Sequence, residues 1–130
     1  MKYLLILALC VMICSGCGKY TPSALREDHA LYSQFEVDDS MQVVIKNIAK
    51  KRHECGNVSY GHVTMLEELG VAHIEYQGAD GRLQFLVDLK RKNDKTNVEI
   101  YSARASKALG WESVFKTLEH GAKGLPGCPN

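Results

Sequence analysis

The sequence predicts an α+β fold: an antiparallel sheet with two helices on one of its faces. Three observations predict it. Between residues 71 and 104, short segments alternate apolar with polar side chains and are separated by turn signals. One amphipathic helical pattern precedes that region and another follows it. Strands and helices that each carry one apolar face bury them most economically by stacking as a two-layer sandwich.

The first helix is predicted over residues 40–54. Asp38, Asp39 and Ser40 supply side-chain oxygens for the unpaired N–H groups of a helix start. Met41, Val44, Ile45, Ile48 and Ala49 then recur at helical spacing. Lys50, Lys51 and Arg52 place positive charge at the C-terminal end of the helix dipole, and Gly56 follows as a stop. From Val58 to Leu69 the pattern is mixed, but the β-branched residues and Gly61 favour a strand, and Glu67-Glu68-Leu69-Gly70 reads as a turn.

The meander continues with a strand over Val71–Gln77 and a hairpin loop at Gly78-Ala79-Asp80-Gly81, where Asp-Gly is the turn signal. From Arg82 to Arg91, Leu83, Phe85, Val87 and Leu89 share one face, while Arg82, Gln84, Asp88 and Lys90 fall mostly on the other. Lys92-Asn93-Asp94-Lys95 is a polar turn, and a last strand runs from Asn97 to Arg104. Trp111, Val114, Phe115 and Leu118 then stand at i, i+3, i+4 and i+7, a helix of about Leu109–Lys123 stopped by Gly124 and Pro126. The expected order is helix, three or four strands, helix. It resembles the helix-grip domains of envelope lipoproteins in element order.

The N-terminus has a different character. Lys2 is followed by an apolar run from Tyr3 to Cys14, then by the small residues Ser15 and Gly16. This is the layout of a secretory signal. The run is too short for a membrane-spanning helix, which needs about 20 apolar residues. Cys14-Ser15-Gly16-Cys17 resembles the lipobox of bacterial lipoproteins, with Cys14 standing where that family usually has Leu. The resemblance implies removal of residues 1–16 and a diacylglyceryl lipid on the Cys17 sulfur. In Gram-negative members the residue after the lipidated Cys helps to sort the protein, and Gly18 with Lys19 points to the outer membrane.

On that reading residues 17–38 form the lipidated N-terminus and a tether, and residues 39–130 form one domain. Leu31, Phe35 and Val37 give the end of the tether the means to dock as an edge strand. Removing 16 of the 130 residues leaves 114, the size of a single domain. Lys2 leaves with the signal, so 15 Lys and Arg face 15 Asp and Glu. That balance argues against nucleic acid as a partner. Cys10 and Cys14 also leave with the signal, and the resemblance assigns lipid to Cys17. Cys55 and Cys128 are then the remaining thiols, and an oxidising compartment favours a disulfide between them. Such a bridge would tie the ends of the two helices together.

The sequence offers candidate sites but no catalytic set. His53 stands beside Cys55 without further metal ligands. His62, His73 and Glu75 fall on adjacent strands, where exposed polar residues of a sheet are the plainer reading. Ser102, Ser106, Arg104 and His120 lack the Gly-x-Ser-x-Gly elbow of a hydrolase. Tyr60, Tyr76 and Trp111 are the residues for a ligand groove between sheet and helix. No metal and no cofactor is expected. The expected function is a non-enzymatic, membrane-anchored module that contacts another envelope protein. A small-ligand carrier, or an inhibitor or immunity protein presenting the Gly78–Gly81 loop, is the alternative.

Overall fold

The computed structural model describes residues 21–27, 31–56, 61–103 and 112–130. Their elements are α1 (Pro22–Glu27), β1 (Leu31–Val37), α2 (Met41–Glu54), β2 (Gly61–Leu66), β3 (Val71–Gln77), β4 (Leu83–Lys92), β5 (Lys95–Ser102) and α3 (Glu112–Ala122). A single 3₁₀ turn, Glu67–Leu69, links β2 to β3. The five strands form one antiparallel sheet in the order β1-β5-β4-β3-β2. The chain enters at one edge, crosses beneath the sheet as α2, and returns strand by strand from the other edge as the expected meander.

The α+β class and the two covering helices are as the sequence predicts. Ser40 caps α2 by accepting a hydrogen bond from the Val43 N–H, and Cys55 closes its C-terminal end. Met41, Val44 and Ile48 of α2 and Phe115, Leu118 and Ala122 of α3 are buried in one cluster with the apolar faces of the strands. Phe115 is the anchor of α3. Its ring stacks on Tyr32 of β1 at 4.5 Å and meets Phe85 of β4 edge-on at 4.9 Å. The two helices pack on each other at Gly121, where a Cβ would come within 2.8 Å of the Ile48 Cα. Only glycine lets the backbones approach that closely.

The end of the segment read as a tether docks as an edge strand: residues 31–37 are strand β1, paired with β5 along its length. Phe35 and Val37 bury apolar surface against the core, which outweighs the freedom of a loose chain. A register shift between Leu31 and Ser33 turns Tyr32 to the same side as Phe35 and Val37. The element not anticipated is α1, which packs on the opposite face of the sheet. Its Leu25 is fully buried with Leu83, Leu86 and Ala103. The two-layer arrangement therefore carries a small third layer.

Cys55 and Cys128 form a disulfide, with Cα atoms 5.6 Å apart. It joins the end of α2 to the tail that follows α3. Beside it, Lys51 Nζ donates to the Gly127 carbonyl at 3.0 Å and pairs with Glu54 at 3.3 Å, so the tail lies on α2 over a buried amine.

Candidate functional site: the open face of the sheet

The strand registers build this surface. Thr64 lies opposite His73, His73 opposite Asp88, Asp88 opposite Glu99, and Glu99 opposite Gln34. Paired residues of antiparallel strands share a face. One polar row thus crosses all five strands on the side away from α2 and α3. His62 and Glu75 form part of the next row.

Asp88 and Glu99 are like charges on directly opposed positions, an arrangement that destabilises a sheet unless something compensates. Two compensations are built in. Arg26 of α1 reaches Asp88 with both arms, Nε to Oδ2 at 2.5 Å and Nη2 to Oδ1 at 2.7 Å. Glu99 accepts from Gln34 Nε2 at 3.1 Å, Tyr101 Oη at 2.7 Å and Asn97 Nδ2 at 3.4 Å. The fork geometry of the guanidinium suits a carboxylate, and its hydrogen bond to Asp88 holds the Arg26 pKa above its ordinary value. Burial, and then the bond to Glu99, push the Tyr101 hydroxyl up to about 12.

His73 Nε2 lies 3.2 Å from Glu75 Oε1. His62, His73 and Glu75 share the face but do not converge: among the described residues no group of three His, Cys, Asp or Glu side chains is placed to hold a metal. Arg26, His73, Asp88, Lys90, Asn97 and Glu99 help to line a shallow groove of about 300 Å³ beside α1. The carboxylates of Glu75, Asp88 and Glu99 are each engaged by a neighbour. The face is thus an array of placed charges, suited to recognition by complementary hydrogen bonding.

The residues singled out in the sequence fall elsewhere. Tyr60, Trp111 and Cys17, with Arg104 and Ser106, lie outside the described residues. Tyr76 faces the core, its ring 4.1 Å beneath the Arg52 guanidinium and across from Gly61. A Cβ at Gly61 would meet that ring at 2.6 Å, which is why this edge position has no side chain. Burial pushes the Tyr76 hydroxyl up to about 12, against the pull of Arg52. Ser102 is buried and donates to the Ala103 carbonyl at 3.1 Å. His53 is exposed at the end of α2. The Gly78–Gly81 hairpin loop is closed by Gly78 N–H to Arg82 and Gly81 N–H to Gly78, each at 2.9 Å.

The sequence reading missed Arg26, Asp88 and Glu99 as a unit. A signal was present in β4, where Leu86 interrupts the polar side of the alternation. No family model matches the chain, and the search of curated proteins finds no match.

Proposed function

We propose that this chain is the precursor of a lipid-anchored protein of the bacterial envelope. Residues 1–16 are removed, Cys17 carries the lipid, and the anchor sits in the outer membrane with the domain in the adjoining compartment. The domain works as a non-enzymatic module that recognises another envelope protein through its open sheet face. The observation that carries this reading is the partition of the cysteines. Cys55 and Cys128 are bonded to each other, which fits an exported, oxidised protein. Cys17 stands at the end of a signal-like run in the position the lipobox requires. Among the described residues no helix is long and apolar enough to cross a membrane, and an N-terminal lipid supplies attachment without one.

Recognition is assigned to the open face because its charges are fixed in place and its three best-placed carboxylates are already engaged. Such a surface is poor in free bases and nucleophiles but rich in oriented donors and acceptors.

The test is Cys17→Ser in cells fed a labelled fatty acid. The expected result is an uncleaved precursor that takes up no label. Normal processing of the variant would mean an ordinary secretory signal and would overturn the anchoring.

A further inference from the structure

We propose that the outer edge of β2 is a docking site for an extended, acidic segment of another protein, which joins the sheet as an additional strand. The inference concerns an edge of the sheet. It rests neither on recognition by the open face nor on the lipid anchor. β1 and β2 are the two edges. An edge strand carries a row of backbone N–H and C=O groups with no partner strand, and folds ordinarily blunt it with bulges, charges or cover. β1 is blunted in all three ways. Its register slips between Leu31 and Ser33, Glu36 is held by Lys92 at 2.6 Å, and the Lys123 amine covers the Phe35 ring at 4.6 Å. β2 has none of these among the described residues. Its pairing with β3 runs from Gly61 to Leu66 without a slip. That strand contains no Pro, Lys, Arg, Asp or Glu, and Val63 and Leu66 are exposed. Such an edge is suited to main-chain pairing with an added strand.

The helix α2 supplies the shelf beneath that edge. Gln42 Nε2 donates to Glu67 Oε1, just past the end of β2. At the other end, Arg52 lies over Tyr76, which stands opposite Gly61. α2 therefore runs beneath β2 and β3, antiparallel to β2. Lys46, Ala49 and His53 follow Gln42 at i+4, i+7 and i+11, so they share its flank of the helix. The opposite flank, with Asn47 and Lys51, packs on Gly121 of α3. Gln42, Lys46, Ala49 and His53 are all exposed. The ion pairs of α2 are those of Lys50 and Lys51 with Glu54, so Lys46 and His53 have no carboxylate partner among the described residues.

That flank decides the occupant. A second copy paired edge to edge, β2 on β2 about a two-fold axis, would set Lys46 of each copy beside His53 of the other. One lysine-and-histidine row would face another with no carboxylate between them. A partner strand carrying Asp or Glu on its helix side instead places carboxylates over Lys46 and His53. Glu67 and Glu68 lie past the far end of β2, so the acidic side chains belong toward the Gly61 end. Main-chain hydrogen bonds supply the affinity, and the carboxylates fix the register.

The test titrates the full-length chain with a fluorescein-labelled synthetic peptide that alternates Val with Glu. Anisotropy reads the binding, and hydrogen exchange locates it. The peptide should bind and should slow exchange in Gly61–Leu66 but not in Leu31–Val37. A matching Val–Lys peptide should bind several-fold more weakly. Lys46→Glu, an exposed substitution, should reverse that preference, and an unchanged preference overturns the proposal. Neighbouring residues of a strand point their N–H groups to opposite sides. One of Val63→Pro and Thr64→Pro therefore removes an outward N–H and keeps the pairing with β3. The variant that keeps the parent melting temperature should lose the peptide. Full binding by that variant, protection outside β2, or no binding of either peptide overturns the docking edge. Equal binding of the two peptides overturns the acidic occupant. So does a dimer of the free chain that dissociates in the stable proline variant, since the occupant is then a second copy. Slow exchange at every β2 amide of the free chain means that the edge is already covered by its own chain, and overturns the proposal as well.

Discussion

One side of the sheet is held by shape and the other by pairing. Under α2 and α3, Ile74, Val87, Leu89, Val98 and Ile100 are buried together with Phe115 and Leu118, and the fit depends on how closely those side chains interlock. On the open side, Asp88 and Glu99 stand opposite each other and are tolerated because Arg26, Gln34, Asn97 and Tyr101 neutralise or bind them. The same five strands therefore present a face where volume is decisive and a face where charge geometry is decisive. A substitution should be costly on the first for the space it leaves, and on the second for the partner it strands.

The largest expected effect tests the covered face. Phe115→Ala removes a ring that touches both β1 through Tyr32 and β4 through Phe85. It should cost about 3–5 kcal/mol, the usual range for a buried Phe reduced to Ala. Chemical denaturation measures it. A loss below about 1 kcal/mol would mean that the cluster closes around the gap, and that the covered face does not depend on interlocking.

The disulfide comes next and separates the two faces in another way. Cys55 and Cys128 lie 73 positions apart, both on the helix side. The chain-entropy model gives up to about 4 kcal/mol for closing such a loop. Reduction should lower global stability by a few kcal/mol and free the tail from Lys51, while hydrogen exchange in the open-face strands changes only in step with that global loss. Selective loosening of β3 and β4 on reduction would show that the staple supports the open face directly.

This contrast also explains what could be read from the sequence. The covered face was legible because it repeats: Phe85, Val87 and Leu89 recur every second residue, and Val114, Phe115 and Leu118 recur every third or fourth. The helix α2 was legible from its cap and its terminal charges. The open face does not repeat in this way. Its row depends on register across four strand pairs, and register is set by turns and long-range packing that no local window contains. Leu25 looks like a lone leucine in a polar segment, and Leu86 like a slip in the alternation of β4. Each has a reason only once the other is placed against it. Tyr32 is hidden for a related reason, since the irregularity beside it reverses the face that strict alternation assigns.

The smallest expected effect is electrostatic and compares one tyrosine from each face. Tyr76 and Tyr101 are both raised to about 12, from about 10 in an unfolded chain. For Tyr76 burial is the cause, and Arg52 pulls the other way. For Tyr101 burial is joined by the bond to Glu99 and the charges of Glu99 and Asp88. A raised tyrosine pKa means that the fold favours the neutral phenol. The stabilisation is fully present below about pH 10 and is lost as the pH climbs toward 12. Glu99→Gln should therefore let Tyr101 ionise at lower pH, though still above its unfolded value because burial remains, and should leave Tyr76 where it is. Ring signals of labelled tyrosine, followed by NMR through an alkaline titration, separate the two residues. If Tyr76 moved along with Tyr101, the sheet would be transmitting charge from its open face into the core, and the two faces would not be independent.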